Sequence, residues 1–525
     1  MLAALKGQTH LPPGFQAAAG RTASLGASVQ YSLAHLDEAT RRLLPAVALF
    51  EGVADLNVLT LVSQDEDAPA WLRGVSRDQW TAALDAAAGV GLLTRLGGPM
   101  FRMHPALPAY LTAAWRSREP VGYPAEVAAA QRALIGAFAT LGTWLHRQIR
   151  QGEAAKALAT IGLQRRSLGT ALAAALAAQR YRDAQAILEP LVEFWHRRGL
   201  TQEALAWGDR CRVRLEAADG TPPPLDTPGG ALWLFAVGDR AERQREALEL
   251  DAAQATYEAI RVSLEAQPDS QKRSRRLAIT YHQLGIVTQD RGELDRAEDW
   301  YRQSLTIKEQ LGDRLGMARS YHQLGIVAQL SGELDRAEEW YRQSRTILGQ
   351  LGDRRGMARS YHHLGMVAQD RGELDRAEEW YRQSLAIEEQ LGNRPGMAGS
   401  YHQLGIVAQK RGELDRAEEW YRHALTIDER LGNRLGMALT YGQLGLVAET
   451  RQQPAIALEQ TVRCVALFDQ FPHPSTGQGP RHLARLTRQL GIGALEETWT
   501  KVTGGALPAT VRAYVERTRN DEQER

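Results

Sequence analysis

Tyr281-His-Gln-Leu-Gly-Ile-Val287 returns as Tyr321-His-Gln-Leu-Gly-Ile-Val327, Tyr361-His-His-Leu-Gly-Met-Val367 and Tyr401-His-Gln-Leu-Gly-Ile-Val407, then weakly as Tyr441-Gly-Gln-Leu-Gly-Leu-Val447. The interval is 40 residues throughout. Residues 281–320 and 321–360 differ at 8 positions, leaving 32 of 40 identical. A fixed period of this kind marks stacked structural units, none of which can bury its apolar side alone.

Each copy predicts two helices. In the first, the Tyr281 segment runs to a turn at Gly292, and Glu293-Leu-Asp-Arg-Ala opens a second helix that stops near Leu311-Gly312, where glycine suits a left-handed helix end. Gly285, Ala297 and Ser304, with counterparts Gly325, Ala337 and Ser344, are small where two helices must touch, and Leu284, Leu294 and Tyr301 fill the space around them. Glu298 with Arg302, and Glu338 with Arg342, stand four apart and are expected to pair on an outer, solvated face. Trp300, Trp340, Trp380 and Trp420 precede the core tyrosines and are expected to pack rather than to bind.

The order Leu-Gly, Gly, Ala, Tyr at these spacings resembles the tetratricopeptide repeat. With Leu311-Gly-Asp-Arg-Leu-Gly-Met-Ala318 at the junction, it looks like the 40-residue variant found in spindle-orientation adaptors and in bacterial signalling ATPases. The fifth copy departs: Gln452-Gln-Pro-Ala replaces Gly-Glu-Leu-Asp, although Ala457 and Cys464 keep the small-residue spacing. A degenerate last unit is what an end cap needs.

A length of 525 residues exceeds one ordinary core, so several domains or a solenoid are expected. The formal net charge of +1 removes a broad electrostatic case for nucleic acid or an anionic membrane. Cys211 and Cys464 lie far apart in helical patterns, which fits buried thiols in a reducing compartment better than a disulfide. No apolar run reaches the ~18–20 residues of a membrane helix, and Met1-Leu-Ala-Ala-Leu-Lys-Gly lacks a signal-peptide core. A cytoplasmic protein is expected.

Residues 1–25 read as a lead-in. Residues 26–122 predict helices around Tyr31–Leu44 (Asp37 as N-cap), Val58–Val62 and Trp80–Ala87, then two short strands about Gly97-Gly98 and a helix after His104-Pro. Three helices, a hairpin and a helix make a winged-helix pattern. Ser32-Leu-Ala-His-Leu-Asp-Glu-Ala-Thr-Arg-Arg-Leu-Leu44, Ala48-Leu-Phe-Glu-Gly52, Gly91-Leu-Leu93 and Phe101-Arg-Met-His-Pro105 are similar to the winged-helix segment of STAND (NB-ARC-like) signalling ATPases. The resemblance places that family's nucleotide-sensing histidine on His104, with Pro105 where the family has an acid; a helix-capping histidine is the alternative.

No Gly-x-x-x-x-Gly-Lys-Ser/Thr occurs, and the chain has six lysines (6, 156, 272, 308, 410 and 501), so there is no phosphate-binding loop of that kind. The NTPase core is therefore expected in a longer parent or a split partner. ATP or ADP enters only through that absent core, and this chain is expected to need no cofactor. Residues 123–218 read as an alanine-rich helical arm similar to that of STAND proteins, 219–230 as a Pro/Gly linker, 231–470 as the repeat array beginning with a divergent copy, and 471–525 as a second break with capping helices.

In tetratricopeptide arrays the first helix of each unit lines the concave surface. The resemblance, with Leu284 setting the register, puts His282, Gln283, Gln289, His322, Gln323, Gln329, His362, His363, Gln369, His402, Gln403 and Gln409 there as candidate ligand-binding residues. Neutral donors and acceptors in such a ladder suit the backbone of an extended peptide; copied units carrying copied surface residues is the plain alternative. A shared metal is excluded, because stacked helices lie about 8–10 Å apart whereas zinc ligands approach within ~2.1 Å of one ion. No nucleophile–base constellation has workable spacing, so no enzyme activity is expected.

The expected fold class is all-α: a winged-helix domain with a small β-hairpin, a helical arm, and a tetratricopeptide-repeat superhelix with a C-terminal cap. The expected function is the protein- or peptide-binding sensor and regulatory region of a STAND-type switch, partnered by an NTPase core or effector domain and by no membrane. A free-standing scaffold or adaptor is the alternative. A winged-helix transcription regulator is disfavoured by ten Lys/Arg against ten Asp/Glu in residues 1–120.

Overall fold

The computed structural model describes residues 21–521, and the chain divides into two compact units at Gln267/Pro268. The expected predominance of helix holds: the described residues contain twenty-four α-helices and one three-stranded sheet. The first 20 residues of the expected lead-in lie outside the described residues; α1 (Arg21–Ala34) covers its end.

In the first unit α2 (Glu38–Leu43) follows α1 and is capped as expected, with the Thr40 amide donating to Asp37 at 2.6 Å. A 3-10 helix (Leu44–Leu49), α3 (Leu56–Gln64), α4 (Arg77–Gly89) and α5 (Leu107–Arg118) complete the helices around the sheet. A capping box between Ser76 and Gln79 fixes the start of α4. The hairpin is formed by β2 (Leu93–Gly97) and β3 (Met100–Met103), and positive φ at Gly97 and Gly98 makes its turn. A strand not expected from sequence, β1 (Val53–Asp55), pairs antiparallel with β3, giving the order β1-β3-β2. Its three residues are all buried, so it shows no alternation to read.

Four long helices follow: α6 (Tyr123–Arg150), α7 (Ala154–Ala177), α8 (Tyr181–Arg198) and α9 (Thr201–Leu215). Small residues let them touch through backbone: a Cβ on Gly142 would fall 2.3 Å from the Ala186 carbonyl. The Pro/Gly stretch expected as linker to residue 230 ends earlier. Thr227 caps α10 (Pro228–Glu246), its hydroxyl accepting from the Gly230 amide at 3.1 Å, and Pro228 takes the first turn, where its missing N–H is harmless. In α11 (Leu250–Glu265) Ala253 and Tyr257 are buried, like the Ala and Tyr of the repeats.

The second unit stacks antiparallel helix pairs into a solenoid-like superhelix. The first helices are α12 (Gln271–Asp290), α14 (Arg314–Leu330), α16 (Arg354–Asp370), α18 (Arg394–Lys410) and α20 (Arg434–Thr450). The second helices are α13 (Leu294–Gln310), α15 (Leu334–Leu351), α17 (Leu374–Leu391), α19 (Leu414–Leu431) and α21 (Pro454–Val465). Asp313 and Asp353 start the next first helix by accepting from the Gly316 and Gly356 amides, each at 2.9 Å. Tyr301, Tyr341, Tyr381 and Tyr421 are completely buried, each with its ring against the glycine of its partner helix. Ser304 and Ser344 donate to the Ala278 and Ala318 carbonyls at 2.6 and 2.8 Å. The tryptophans pack as expected, Trp340 and Trp380 lying against the cores between units.

The outer face differs from the expected solvated pairs. Arg342 does meet Glu338 at 2.6 Å. Glu338 also accepts from Arg376 at 2.6 Å and from Arg371, both belonging to the next unit, and Arg371 reaches Asp335 at 2.5 Å. Glu378 repeats this with Arg382, Arg411 and Arg416, and Glu418 with Arg422 and Arg451. Burial alone would raise the Glu338 carboxyl, but hydrogen bonds from Arg371 and Arg376 hold it below the usual range. These are bonds between units, which i,i+4 spacing on one helix cannot reveal. At the end of the stack Leu458 replaces the shared glutamate and is buried with Leu483 and Leu495 under the cap helices α22 (Gly479–Leu490), α23 (Ile492–Thr503) and α24 (Ala509–Asp521).

Candidate functional site

The candidate residues on the first helices share one face, but much of their hydrogen-bonding capacity is turned inward. Gln289, Gln329, Gln369 and Gln409 accept from the hydroxyls of Tyr301, Tyr341, Tyr381 and Tyr421 at 3.1, 3.2, 3.4 and 2.7 Å. A buried tyrosine hydroxyl needs such a partner. Gln323 donates to the Tyr301 hydroxyl of the preceding unit at 3.2 Å, linking two units through one phenol. Gln329 also donates to Asp370 at 2.8 Å.

The histidines form an aromatic layer above those tyrosines. His282, His322, His362 and His402 lie 5.4–5.5 Å, centroid to centroid, from Tyr301, Tyr341, Tyr381 and Tyr421. His363 stacks on Tyr341 at 5.0 Å and meets His322 edge-on at 4.7 Å. Burial, aided by neighbouring cationic or imidazole groups at all but His362, pushes the imidazoles down: His322 to about 2, His282 and His363 to about 3, His362 and His402 to about 4. They are neutral rings at neutral pH. The Nδ1 atoms of His282, His322 and His363 and Oε1 of Gln403 are buried without a partner. Gln283 is half-buried and engaged. His104 is exposed, and its Nδ1 accepts from the Ala106 amide at 3.3 Å, at the entry to α5.

Beside this layer the first helices α14, α16 and α18 enclose a groove of about 410 Å³. His362 reaches it, and Arg319, Arg355 and Arg359 line it together with Glu388 and Asp353. These three guanidiniums make no hydrogen bond or ion pair among the described residues, whereas Arg336, Arg371, Arg376, Arg411 and Arg416 of the same array are all paired. They occupy positions where otherwise copied units differ: Arg275, Leu315, Arg355, Pro395 and Leu435 in one series, Ile279, Arg319, Arg359, Gly399 and Leu439 in the other. That variation is the signal in the sequence that points to them.

The described residues hold no cluster of three or more His, Cys, Asp or Glu side chains suited to a metal ion. Cys211 and Cys464 are free and buried, and burial raises their thiols to about 12 and about 11. No described helix is long and apolar enough to cross a membrane.

Comparison with known proteins agrees with the repeat architecture. The sequence matches no curated protein. Among solved structures, a Signal Transduction ATPase with Numerous Domains (STAND) protein with a tetratricopeptide repeat sensor, from Pyrococcus horikoshii, is similar over 90% of this chain and 64% of its own, with TM-score 0.53 and 12% identity. The likeness is one of fold, and the chain spans 64% of that protein's length. BtubC (BKLC) from P. vanneervenii is similar over 44% of this chain and 95% of its own, with TM-score 0.37 and 20% identity. The apo form of RapI is similar over 54% and 98%, with TM-score 0.40 and 15% identity. The tetratricopeptide repeat family profile matches residues 276–350, 356–430 and 396–470. The stacked helix pairs of the second unit are tetratricopeptide repeats.

Proposed function

We propose that this chain is the protein- or peptide-binding sensor region of a STAND-type signalling switch, and that its ligand lies across the first helices of the repeats at Arg319, Arg355 and Arg359. The observation that carries the reading is the groove itself: three unpaired guanidiniums beside a layer of neutral imidazoles. Such a surface favours a peptide bearing carboxylates, because arginine binds them through charge-assisted, often bidentate hydrogen bonds. The fold likeness to a STAND protein with a repeat sensor supports the switch, with residues 26–122 as its winged helix, His104 facing the nucleotide, and ATP or ADP held by an NTPase core in a parent or partner chain. On this reading the chain itself is not an enzyme, binds no cofactor of its own and works in the cytoplasm. A free-standing adaptor would use the same groove.

The test is binding of fluorescent peptide pools, acidic and neutral, to the full chain, to the triple variant Arg319→Ala/Arg355→Ala/Arg359→Ala, and to the control Arg382→Ala/Arg422→Ala. Hydrogen bonds to charged groups contribute about 1.5–3 kcal/mol each, so the triple variant loses two decades of affinity or more while the control stays within about threefold. Equal binding by all three proteins overturns the groove. For the switch, His104→Ala raises ligand-free output of a reconstituted system containing the NTPase core; unchanged output leaves His104 as a helix cap.

A further inference from the structure

In the first four units one slot between the two helices is filled by two rings. At the fourth, Tyr421 is fully buried, His402 lies 5.5 Å from it, a Cβ on Gly405 would fall 2.5 Å from the Tyr421 ring, and Gln409 accepts from the phenol at 2.7 Å. The fifth unit keeps the helices and removes the rings. Forty residues on, Gly442 stands for His402, Thr461 for Tyr421 and Glu449 for Gln409, while Gly445 keeps the glycine of Gly405. A Cβ on Gly442 would meet nothing within 4 Å, and one on Gly445 would be 3.2 Å from the Thr461 hydroxyl.

The cap does not refill the slot. The turn Pro474–Thr476 and the start of α22 close over it, leaving a cavity of about 250 Å³ between α20, α21 and residues 475–479. Its walls include Leu446 and the Cys464 thiol, and the Thr461 hydroxyl spends its proton on the Ala457 carbonyl at 2.8 Å. Its polar end is the Glu449 carboxylate, which accepts from Arg485 and lies 3.5 Å from His482 Nδ1. A cavity of about 150 Å³ lined by apolar side chains holds benzene, so this space admits a six-membered ring with a short polar arm.

We propose that this slot is a binding site for a planar aromatic ring carrying a hydrogen-bond donor, which takes the place of the absent Tyr-His pair and donates to Glu449. The donor matters because a carboxylate, unlike the glutamine it replaces, only accepts. A ring of this chemistry is supplied either by a free small molecule or by a tyrosine side chain of a bound peptide. The site lies outside the arginine-lined groove, so the two stand or fall separately.

The experiment is saturation-transfer NMR and thermal shift on the full chain with tyramine, toluene and acetyl-Gly-Tyr-Gly-amide. Tyramine and toluene are expected to bind saturably to the native chain. Thr461→Tyr, which restores the repeat's own ring, is expected to raise the melting temperature and abolish both. Glu449→Leu, which removes the acceptor, is expected to weaken tyramine about tenfold, one hydrogen bond's worth, and to leave toluene no weaker. Should Thr461→Tyr fail to fold, Gly442→His restores the other ring and serves the same purpose. Binding of the tripeptide as well as tyramine assigns the site to a peptide side chain; binding of tyramine alone assigns it to a free ligand; either supports the proposal. No saturable binding by any probe, or undiminished binding to a folded ring-restored variant, overturns it.

Discussion

Gly325 on α14 lies directly beneath the ring of Tyr341 on α15: a Cβ at Gly325 would fall 2.6 Å from Cε1 of that ring, with two further ring atoms under 3.0 Å. Tyr341 cannot retreat, being fully buried with its hydroxyl donating to Gln329. Gly325→Ala is therefore expected to destabilise the chain by roughly 1–3 kcal/mol through overpacking, although alanine is the better helix former. Adding Tyr341→Leu should recover part of the loss. Urea denaturation of the two single variants and the double gives the coupling, and strictly additive effects would mean that the contact carries no strain.

The clamp between units is incomplete at one junction. Arg371, Arg411 and Arg451 each reach the Asp and Glu of the preceding unit, Arg371 bridging Asp335 and Glu338. At the first junction the equivalent residue is Ser331, opposite Asp295 and Glu298. Ser331→Arg is expected to stabilise by about 0.5–1 kcal/mol, seen as a higher melting temperature in low salt. That gain should fade near 1 M salt, where screening is nearly complete.

Asp55 is buried at the start of α3, accepts from the Asn57 amide at 2.7 Å with one oxygen, and leaves the other without a partner. Burial, opposed by the backbone hydrogen bonds, raises its carboxyl from 3.8 to about 6. A carboxyl raised on folding favours the native state at low pH, and that advantage is lost as pH climbs from 3.8 through about 6. Above that window the charged form carries a penalty of about 3 kcal/mol. Asp55→Asn keeps a capping oxygen and exchanges the penalty for a smaller one from an unpartnered amide. The variant should be more stable by about 1–2 kcal/mol at pH 8 and show no gain at pH 4.

The imidazole layer predicts the opposite pH response in the repeats. Its histidines fall from 6.5 to between about 2 and about 4 on folding. Their contribution is present above pH 6.5 and lost as pH falls toward the folded values, because the unfolded chain takes up the protons first. His363→Gln restores the residue of the neighbouring copies. Its melting temperature should decline less steeply between pH 6.5 and 4, by about 1 kcal/mol per pH unit in stability terms. An unchanged slope would place His363 in contact with water.

The period, the helix pairs and the close glycine contacts were legible because each is repeated and follows from local spacing. Gly97-Gly98 announced the hairpin for the same reason. What escaped is what depends on register between helices. The glutamines read as an outward ladder because the hydroxyls they accept from sit on a different helix, and Glu338 read as a surface pair because Arg371 and Arg376 arrive from the next unit. Strand β1 is too short to carry a period. Arg319, Arg355 and Arg359 stand at positions where the copies differ, so the repeating pattern does not carry them.

The glutamate ladder also has a genetic consequence. Because Glu338 and Glu378 offer the same acceptor to the same arginines of the following unit, the copies that carry Arg371 and Arg411 can each follow either glutamate with the same clamp, whereas the copy with Ser331 cannot. Recombination between the near-identical coding segments of those copies can therefore lengthen or shorten the protein by whole units and keep the arginine–glutamate clamp. The last copy is exempt. With Leu458 in place of the acceptor and facing the cap, it cannot be moved inward without leaving a following arginine unanswered, so variation in length is confined to the interior and the terminus is inherited as a block.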